Sequence, residues 1–283
     1  MKSEKEVYSA AYQGIDGAYS QEAIFSYFGE KVKTCGCETF DEVIKKVELD
    51  EAKTGFLPAE NSVAGTIVQT FDLLLESNLS ITGEFYLPIH HNLLVLPDVD
   101  EKSIHTIYSH PQALAQCAQF IKRAGYHSQA VWDTAGSARE IRQKKITDGA
   151  AIASSQAAEA YQLKILTSNI EDVVHNTTRF FILGKHTAKP AEKNKTSLLF
   201  STRHEPGSLM RCLQQFARRE INLTKIESRP DRLHPWHYIF YLDFEGHVED
   251  PVIEQALLHL LKQATLVKIL GSYPMGEKYA AGN

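Results

Sequence analysis

The sequence predicts an α/β protein: a larger N-terminal part with mostly parallel strands, then a smaller ferredoxin-like βαββαβ part. Two observations carry this. Over the first 185 residues a short β-type run repeatedly ends in a polar or glycine residue and opens a helical pattern. Beyond a polar stretch at 184–195 the order becomes strand, helix, strand, strand, helix, strand.

The strand-then-helix units come in order. Val7–Tyr12 leads into Gly14, Gly17 and Ser20, then Ala23, Ile24 and Phe28 at helical spacing with Gly29 as a stop. Gly55–Leu57 leads into Pro58–Gly65, then Ile67, Val68, Phe71 and Leu75. Thr106–Tyr108 leads into Ser109–Pro111, then Leu114, Cys117 and Ile121, with Gly125 as the stop. Ala130–Trp132 leads into Asp133–Thr134, then Ala138 and Ile141; Gly149–Ala153 leads into Ser154–Ser155, then Ala158 and Tyr161. Residues 185–195 are polar, lack an apolar period and read as a linker. After them the strand candidates are Thr196–Thr202, Leu223–Glu227, Tyr238–Phe244 and Val267–Tyr273, with helices over Ser208–Arg219 and Pro251–Gln263.

Composition narrows the functional classes. A chain of 283 residues suits two domains, and 43% apolar with 23% charged residues is ordinary for a globular protein. A net charge of -5 leaves no basic excess to neutralise phosphates, so nucleic-acid binding is not expected. No stretch approaches the roughly 18–20 apolar residues of a membrane span. Met1–Glu6 lacks the apolar core of a signal peptide, so the expected compartment is the cytoplasm. Cys35 and Cys37 form a Cys-x-Cys pair without a second Cys/His pair at zinc-like spacing, and His90–His91 would point to opposite faces of a strand. No metal is expected, and the four cysteines read as thiols in a reducing compartment.

In open α/β sheets ligands bind beyond the carboxyl ends of strands, where helix starts offer unpaired N–H groups. Five such starts here carry Ser, Thr, Asn or Asp. Singly each is an ordinary N-cap. Together with the glycine-rich first turn they point to a cleft for a small anion.

Six motifs then converge. Tyr12-Gln-Gly-Ile-Asp-Gly-Ala-Tyr-Ser20, Pro58-Ala-Glu-Asn-Ser-Val-Ala-Gly65, Ser109-His-Pro-Gln112 with Gln116, and Asp133-Thr-Ala-Gly-Ser-Ala138 occur in order. Tyr161-x-Leu163-x-x-Leu166, Asp172 and Thr178-Arg-Phe180 follow, then Leu223-Thr-Lys-Ile-Glu-Ser-Arg-Pro230. This set resembles the prephenate dehydratases that carry a C-terminal ACT regulatory domain. The resemblance implies a two-lobed catalytic domain like the type-II periplasmic binding proteins over 1–188, with lobe crossings near 87–91 and 166–169. It implies further a linker at 189–195, an ACT domain over 196–275 and a tail at 276–283. The implied reaction takes prephenate to phenylpyruvate, carbon dioxide and water, driven by aromatisation without cofactor or metal. Phenylalanine is the implied feedback effector, and self-association as a homodimer or homotetramer is expected from edge-to-edge pairing of ACT sheets. An arogenate dehydratase and a non-catalytic amino-acid-binding sensor are the alternatives.

The resemblance also assigns residues. Thr178 is the group at the departing hydroxyl; Thr177, on the opposite face of a strand, is its internal control. Arg179 would hold a substrate carboxylate with its fork, or form an ion pair inside the lobe. Asn61 and Ser109 sit at helix openings, where a ligand contact and an N-cap both fit. Gln116 lies about two turns into its helix, near 10 Å from the start, and either supports the helix or touches substrate. Gly17, Ala18, Tyr19, Ser20, Thr134, Ser154 and Phe180 complete the expected substrate contacts. The effector set is Gly207, Ser208, Leu209 and Met210, where the family's G-A-L-V has Ala and Val in place of Ser208 and Met210, with Glu227, Ser228, Arg229 and Pro230. Glu227 would face the effector's ammonium group or hold the loop.

Overall fold

In the computed structural model, residues 8–231 and 237–277 are described. The chain opens with β1 (Tyr8–Gln13), passes through α1 (Tyr19–Phe28) to β2 (Thr34–Cys37), and returns through α2 (Phe40–Glu48) to β3 (Ala52–Asn61). β1 pairs in parallel with β2 and with β3, which a helical crossover between strands makes possible. The motif reading passed over α2. It buries Val43, Ile44 and Val47, and the Thr39 hydroxyl caps it by accepting from the Glu42 N–H. β3 continues through Pro58, past the expected run, because β4 (Gly65–Thr66) folds back to pair with Glu60 and Asn61. Then come α3 (Val68–Glu76) and β5 (Ser80–Pro88).

A second sheet is built from β6 (Asn92–Val95), β7 (Thr106–Ser109), α4 (Pro111–Gln116), α5 (Ala118–Ala124), β8 (His127–Ala130), α6 (Thr134–Lys144), β9 (Gly149–Ala153), α7 (Ser155–Ala160) and β10 (Lys164–Thr167). Its strand order is β10-β6-β9-β7-β8. β7 lies parallel to β8 and β9, but β6 and β10 pair antiparallel, so the expected parallel pattern fails at the strands where the chain enters and leaves. β9 is buried along its whole length: Ala150 and Ile152 meet one apolar cluster, Ala151 and Ala153 another. From β10 the chain returns to the first sheet as β11 (Thr177–Gly184), giving the order β2-β1-β3-β11-β5. The two crossings, 89–91 and 168–176, are stitched together. Ile170 N–H donates to the His91 carbonyl at 2.9 Å, and Ile89 N–H to the Asn176 carbonyl at 2.8 Å.

By contacts the chain forms two compact units whose boundary falls within β5 and β11: residues up to Ile67 with Phe85–Phe180, and Val68–Glu84 with Phe181–Glu277. The second unit adds β12 (Asn194–Thr202), α8 (Ser208–Ala217), β13 (Leu223–Pro230), β14 (Tyr238–Glu245), α9 (Pro251–Gln263) and β15 (Ala264–Pro274). Its antiparallel sheet, ordered β13-β14-β12-β15, has the expected βαββαβ path. Leu198, Phe200, Leu242 and Phe244 pack against Cys212, Phe216, Ile253 and Leu257 of α8 and α9. The unit also includes α3, which the sequence reading assigned to the N-terminal part. Phe71 lies 4.8 Å from the Tyr241 ring, Asp72 meets Arg229 at 3.3 Å, and Lys268 Nζ donates to the Leu75 and Ser77 carbonyls. Lys195 and Glu84 form an ion pair at 2.6 Å with side chains 3% and 0% exposed, and Gly276 N–H donates to the same carboxylate.

Candidate active site

Between the two sheets of the first unit lies a cavity of about 260 Å³. Small-molecule sites usually hold about 300–1,000 Å³, so this one is on the scale of a single small molecule. Three helix starts line it: Ala18–Ser20 of α1, His110, Gln112 and Ala113 of α4, and Asp133–Ala135 of α6. The start of α1 has no side-chain cap, which leaves backbone N–H groups to a ligand. Asp133 caps α6 by accepting from the Gly136 N–H at 2.9 Å, and Thr134 follows it on the cavity wall.

Alternation along β11 sorts the threonines as expected: Asn176, Thr178 and Phe180 line the cavity, whereas Thr177 and Arg179 do not. Asn61, at the end of β3, orients Thr178. Its Oδ1 accepts from the Val63 and Ala64 N–H groups at 3.1 and 2.8 Å, which fixes the amide. Its Nδ2 donates to Asn176 Oδ1 at 2.7 Å and to Thr178 Oγ1 at 3.0 Å. Both amide hydrogens are thereby engaged, and the Thr178 oxygen already accepts one bond, so its own proton is left to donate.

The opposite wall holds a chain of three side chains. Tyr19 Oη is 2.8 Å from the His90 carbonyl and 2.7 Å from His91 Nδ1, and His91 Nε2 is 2.7 Å from Gln116 Oε1. His91 is buried, and that burial pushes its imidazole below the ordinary value, while burial pushes the Tyr19 phenol up. Gln116 reaches the cavity because its helix breaks just after it. Asp172 N–H takes the Gln116 carbonyl at 2.7 Å, and the Asp172 carboxylate accepts from the Gln119 N–H at 3.2 and 3.1 Å, capping α5. The continuous helix expected over Leu114–Ile121 is thus two helices, with Gln116 at the end of the first. His91 itself entered the sequence reading only as half of an unpromising metal pair.

Three expected contacts lie elsewhere. Arg179 is 5% exposed, and its guanidinium lies 3.8 Å from Glu60 Oε2 on the other face of β11. This is the contact of the ion-pair alternative. Ser109 is fully buried and donates to the Ile152 carbonyl at 2.7 Å, tying β7 to β9; the cap of α4 is His110 Nδ1. Ser154 accepts from the Ala157 N–H at 3.0 Å and donates to the Gly17 carbonyl at 2.7 Å, so it clasps the glycine-rich turn to α7. Only glycine fits that turn, since Gly17 has φ +85° and a Cβ there would meet Ala157 Cα at 2.6 Å. Among the described residues no Lys or Arg lines the cavity, and Asp133 adds a carboxylate. Nor do they include a group of three or more His, Cys, Asp and Glu able to hold a metal ion, or a helix long and apolar enough to cross a membrane.

In the second unit, Gly207–Met210 lines a smaller cavity of about 180 Å³ together with His204, His237 and Tyr238. Ser208 Oγ accepts from Arg211 Nη2 at 2.8 Å, and Met210 is 66% exposed. Glu227, Ser228, Arg229 and Pro230 lie on the edge strand β13 and do not line this cavity. Glu227 pairs with Lys225 at 3.2 Å, and Arg229 with Asp72.

A family model described as prephenate dehydratase matches residues 10–188. The chain is 42% identical over 276 residues to an Arabidopsis thaliana protein named arogenate dehydratase/prephenate dehydratase 2, chloroplastic, covering 94% of this chain and 72% of the relative. A solved structure described as prephenate dehydratase in complex with L-Phe, from Arthrobacter aurescens, superposes with TM-score 0.86 at 28% identity, covering 94% of this chain and 89% of the other. Another, described as a novel type of quorum quenching acylase, superposes with TM-score 0.87 at 34% identity, covering 94% and 97%.

Proposed function

The chain belongs to the prephenate dehydratase family, and from that premise we propose that its cavity eliminates water and carbon dioxide from prephenate to give phenylpyruvate. The observation that carries the reading is the Asn61–Thr178 pair, which aims a hydroxyl proton into a cavity of the right size. A Thr hydroxyl is too weak an acid to protonate hydroxide unaided. In prephenate, though, loss of the ring carboxylate and loss of the hydroxyl proceed toward an aromatic ring. Thr178 therefore has only to hydrogen-bond the departing oxygen as its charge grows, and Asn61 keeps it turned for that task. The uncapped start of α1 provides partial positive charge for a substrate carboxylate. Tyr19, Ser20, Gln116, Thr134 and Phe180 are the further wall contacts in this reading.

Phenylpyruvate formation, followed by its absorbance in alkali, tests the reaction. Thr178→Ala should lower turnover by about 10²–10⁴-fold, the usual worth of a positioned proton donor. Absence of product from the wild type on prephenate refutes the reading. Arogenate, the amino analogue, is the second reading, favoured by the double name of the Arabidopsis relative; kcat/KM on the two substrates separates them.

The βαββαβ sheet of the second unit is an ACT regulatory domain that binds phenylalanine at the Gly207–Met210 turn. Support comes from the cavity beside that turn and from the L-Phe complex of the Arthrobacter aurescens protein. Glu227–Pro230 lies on an edge strand open to pairing with a second copy, which suits a homodimer or homotetramer with effector sites at subunit boundaries. The two-lobed, periplasmic-binding-protein-like form of the first unit and a cytoplasmic setting complete the reading. If phenylalanine opposes prephenate binding, prephenate must weaken phenylalanine binding by the same factor. Titration of the full chain with phenylalanine, with and without saturating prephenate, checks that reciprocity.

A further inference from the structure

A dicarboxylate needs positive charge, and the cavity wall offers no Lys or Arg among the described residues. The proton inventory around His91 identifies another source. The Tyr19 hydroxyl has one proton, and the His90 carbonyl at 2.8 Å can only accept it. His91 Nδ1, 2.7 Å from the same oxygen, must then donate. At the other edge of the ring, Nε2 is 2.7 Å from the Gln116 amide oxygen, which also can only accept. Both ring nitrogens carry protons in this arrangement, so it is that of an imidazolium.

We propose that His91 is the charge donor of the site: it becomes an imidazolium when a dianionic substrate enters, so that binding takes up one proton. This deepens the reading of the cavity as a prephenate site and rests on it. In the unliganded cavity burial disfavours the charge. The neutral ring keeps its proton on Nδ1 for Tyr19. An entering carboxylate favours the charged ring: Nε2 gains a proton, and the Gln116 oxygen 2.7 Å away accepts it. The surrounding charges come from every neighbouring element. Glu171, whose carboxylate accepts from the His91 N–H at 2.9 Å, favours the imidazolium, and His90, paired with the same carboxylate, opposes it. Beyond them are Glu22 on α1, Asp172 after Glu171, and His110 on the cavity wall.

The test is the pH dependence of kcat and kcat/KM for prephenate from about pH 6.5 to about 8.5, where the substrate's two carboxylates stay ionised. Substrate selects the protonated ring, so kcat/KM should fall about tenfold per pH unit over this range while kcat holds. In His91→Asn, kcat/KM should be low at the acid end and lose the slope. A flat wild-type profile overturns the proposal. So does a slope that persists in His91→Asn, which would belong to His110 or to Glu22, whose carboxyl burial pushes up to about 7. Should His91→Asn fail to fold, His91→Gln should lose the slope in the same way, and a slope that persists there overturns the proposal equally. Absence of prephenate turnover at every pH would overturn the dehydratase reading beneath it, a result distinct from a flat profile with activity.

Discussion

Asn61→Asp changes one atom and should reverse the direction of the proton on which the chemistry depends. The Asn61 amide nitrogen donates to Thr178 Oγ1 at 3.0 Å and to Asn176 Oδ1 at 2.7 Å, while its oxygen accepts from two backbone N–H groups that hold it in place. A carboxylate oxygen in the nitrogen's position can only accept. Thr178 must then turn its proton away from the cavity, and the Asn176 amide must turn over or face a like lone pair. Two net hydrogen bonds lost or reversed in a buried setting cost about 1–3 kcal/mol of stability. Loss of the aimed proton costs about 10²–10⁴-fold in kcat. Because the variant acts through Thr178, it should add little in a Thr178→Ala background, and the two losses should be non-additive. Steady-state phenylpyruvate formation by the wild type, both single variants and the double variant measures the cycle. A kcat for Asn61→Asp within about threefold of wild type would refute the orienting role; so would equal losses in both backgrounds.

Arg179→Lys should lower the melting temperature and leave KM within about twofold, since its guanidinium faces Glu60 and not the cavity; a large rise in KM would return Arg179 to the substrate. Ser109→Ala should cost about 1–2 kcal/mol through the lost bond to the Ile152 carbonyl, with KM unchanged, and denaturant melts beside kinetics would check this. Gly17→Ala should both destabilise the protein and raise KM, because a methyl group there collides with Ala157 in the clasp between the glycine-rich turn and α7; an unaltered KM would show that the clasp does not shape the cavity.

What was legible from the sequence was local. The period-2 rule put Thr177 and Thr178 on opposite faces, and Thr178 lines the cavity while Thr177 does not. The same rule, extended one residue, places Arg179 on the face of Thr177, beside Glu60. Gln116 was undecidable because its reach depends on Asp172, a residue far along the chain that splits the helix by hydrogen bonding on both sides of the break. Ser109 and Ser154 carried the residue type of a ligand contact, yet their partners are carbonyls brought near by tertiary packing, which no local pattern records. His91 was missed for the same reason: its meaning lies in Tyr19 and Gln116, which approach it from α1 and α4.

The second unit is assembled from two separated stretches of chain, and this limits how the gene for it can be cut and rejoined. A break in the polar stretch 184–195 would look natural on the sequence. It would leave Phe71 without Tyr241, Asp72 without Arg229 and Glu84 without Lys195, while stripping the sheet of α3. A transplantable second unit would therefore have to carry residues 68–84 as well, which any splice at a single point would leave behind. Exchange of the second unit between chains would require both stretches to travel together.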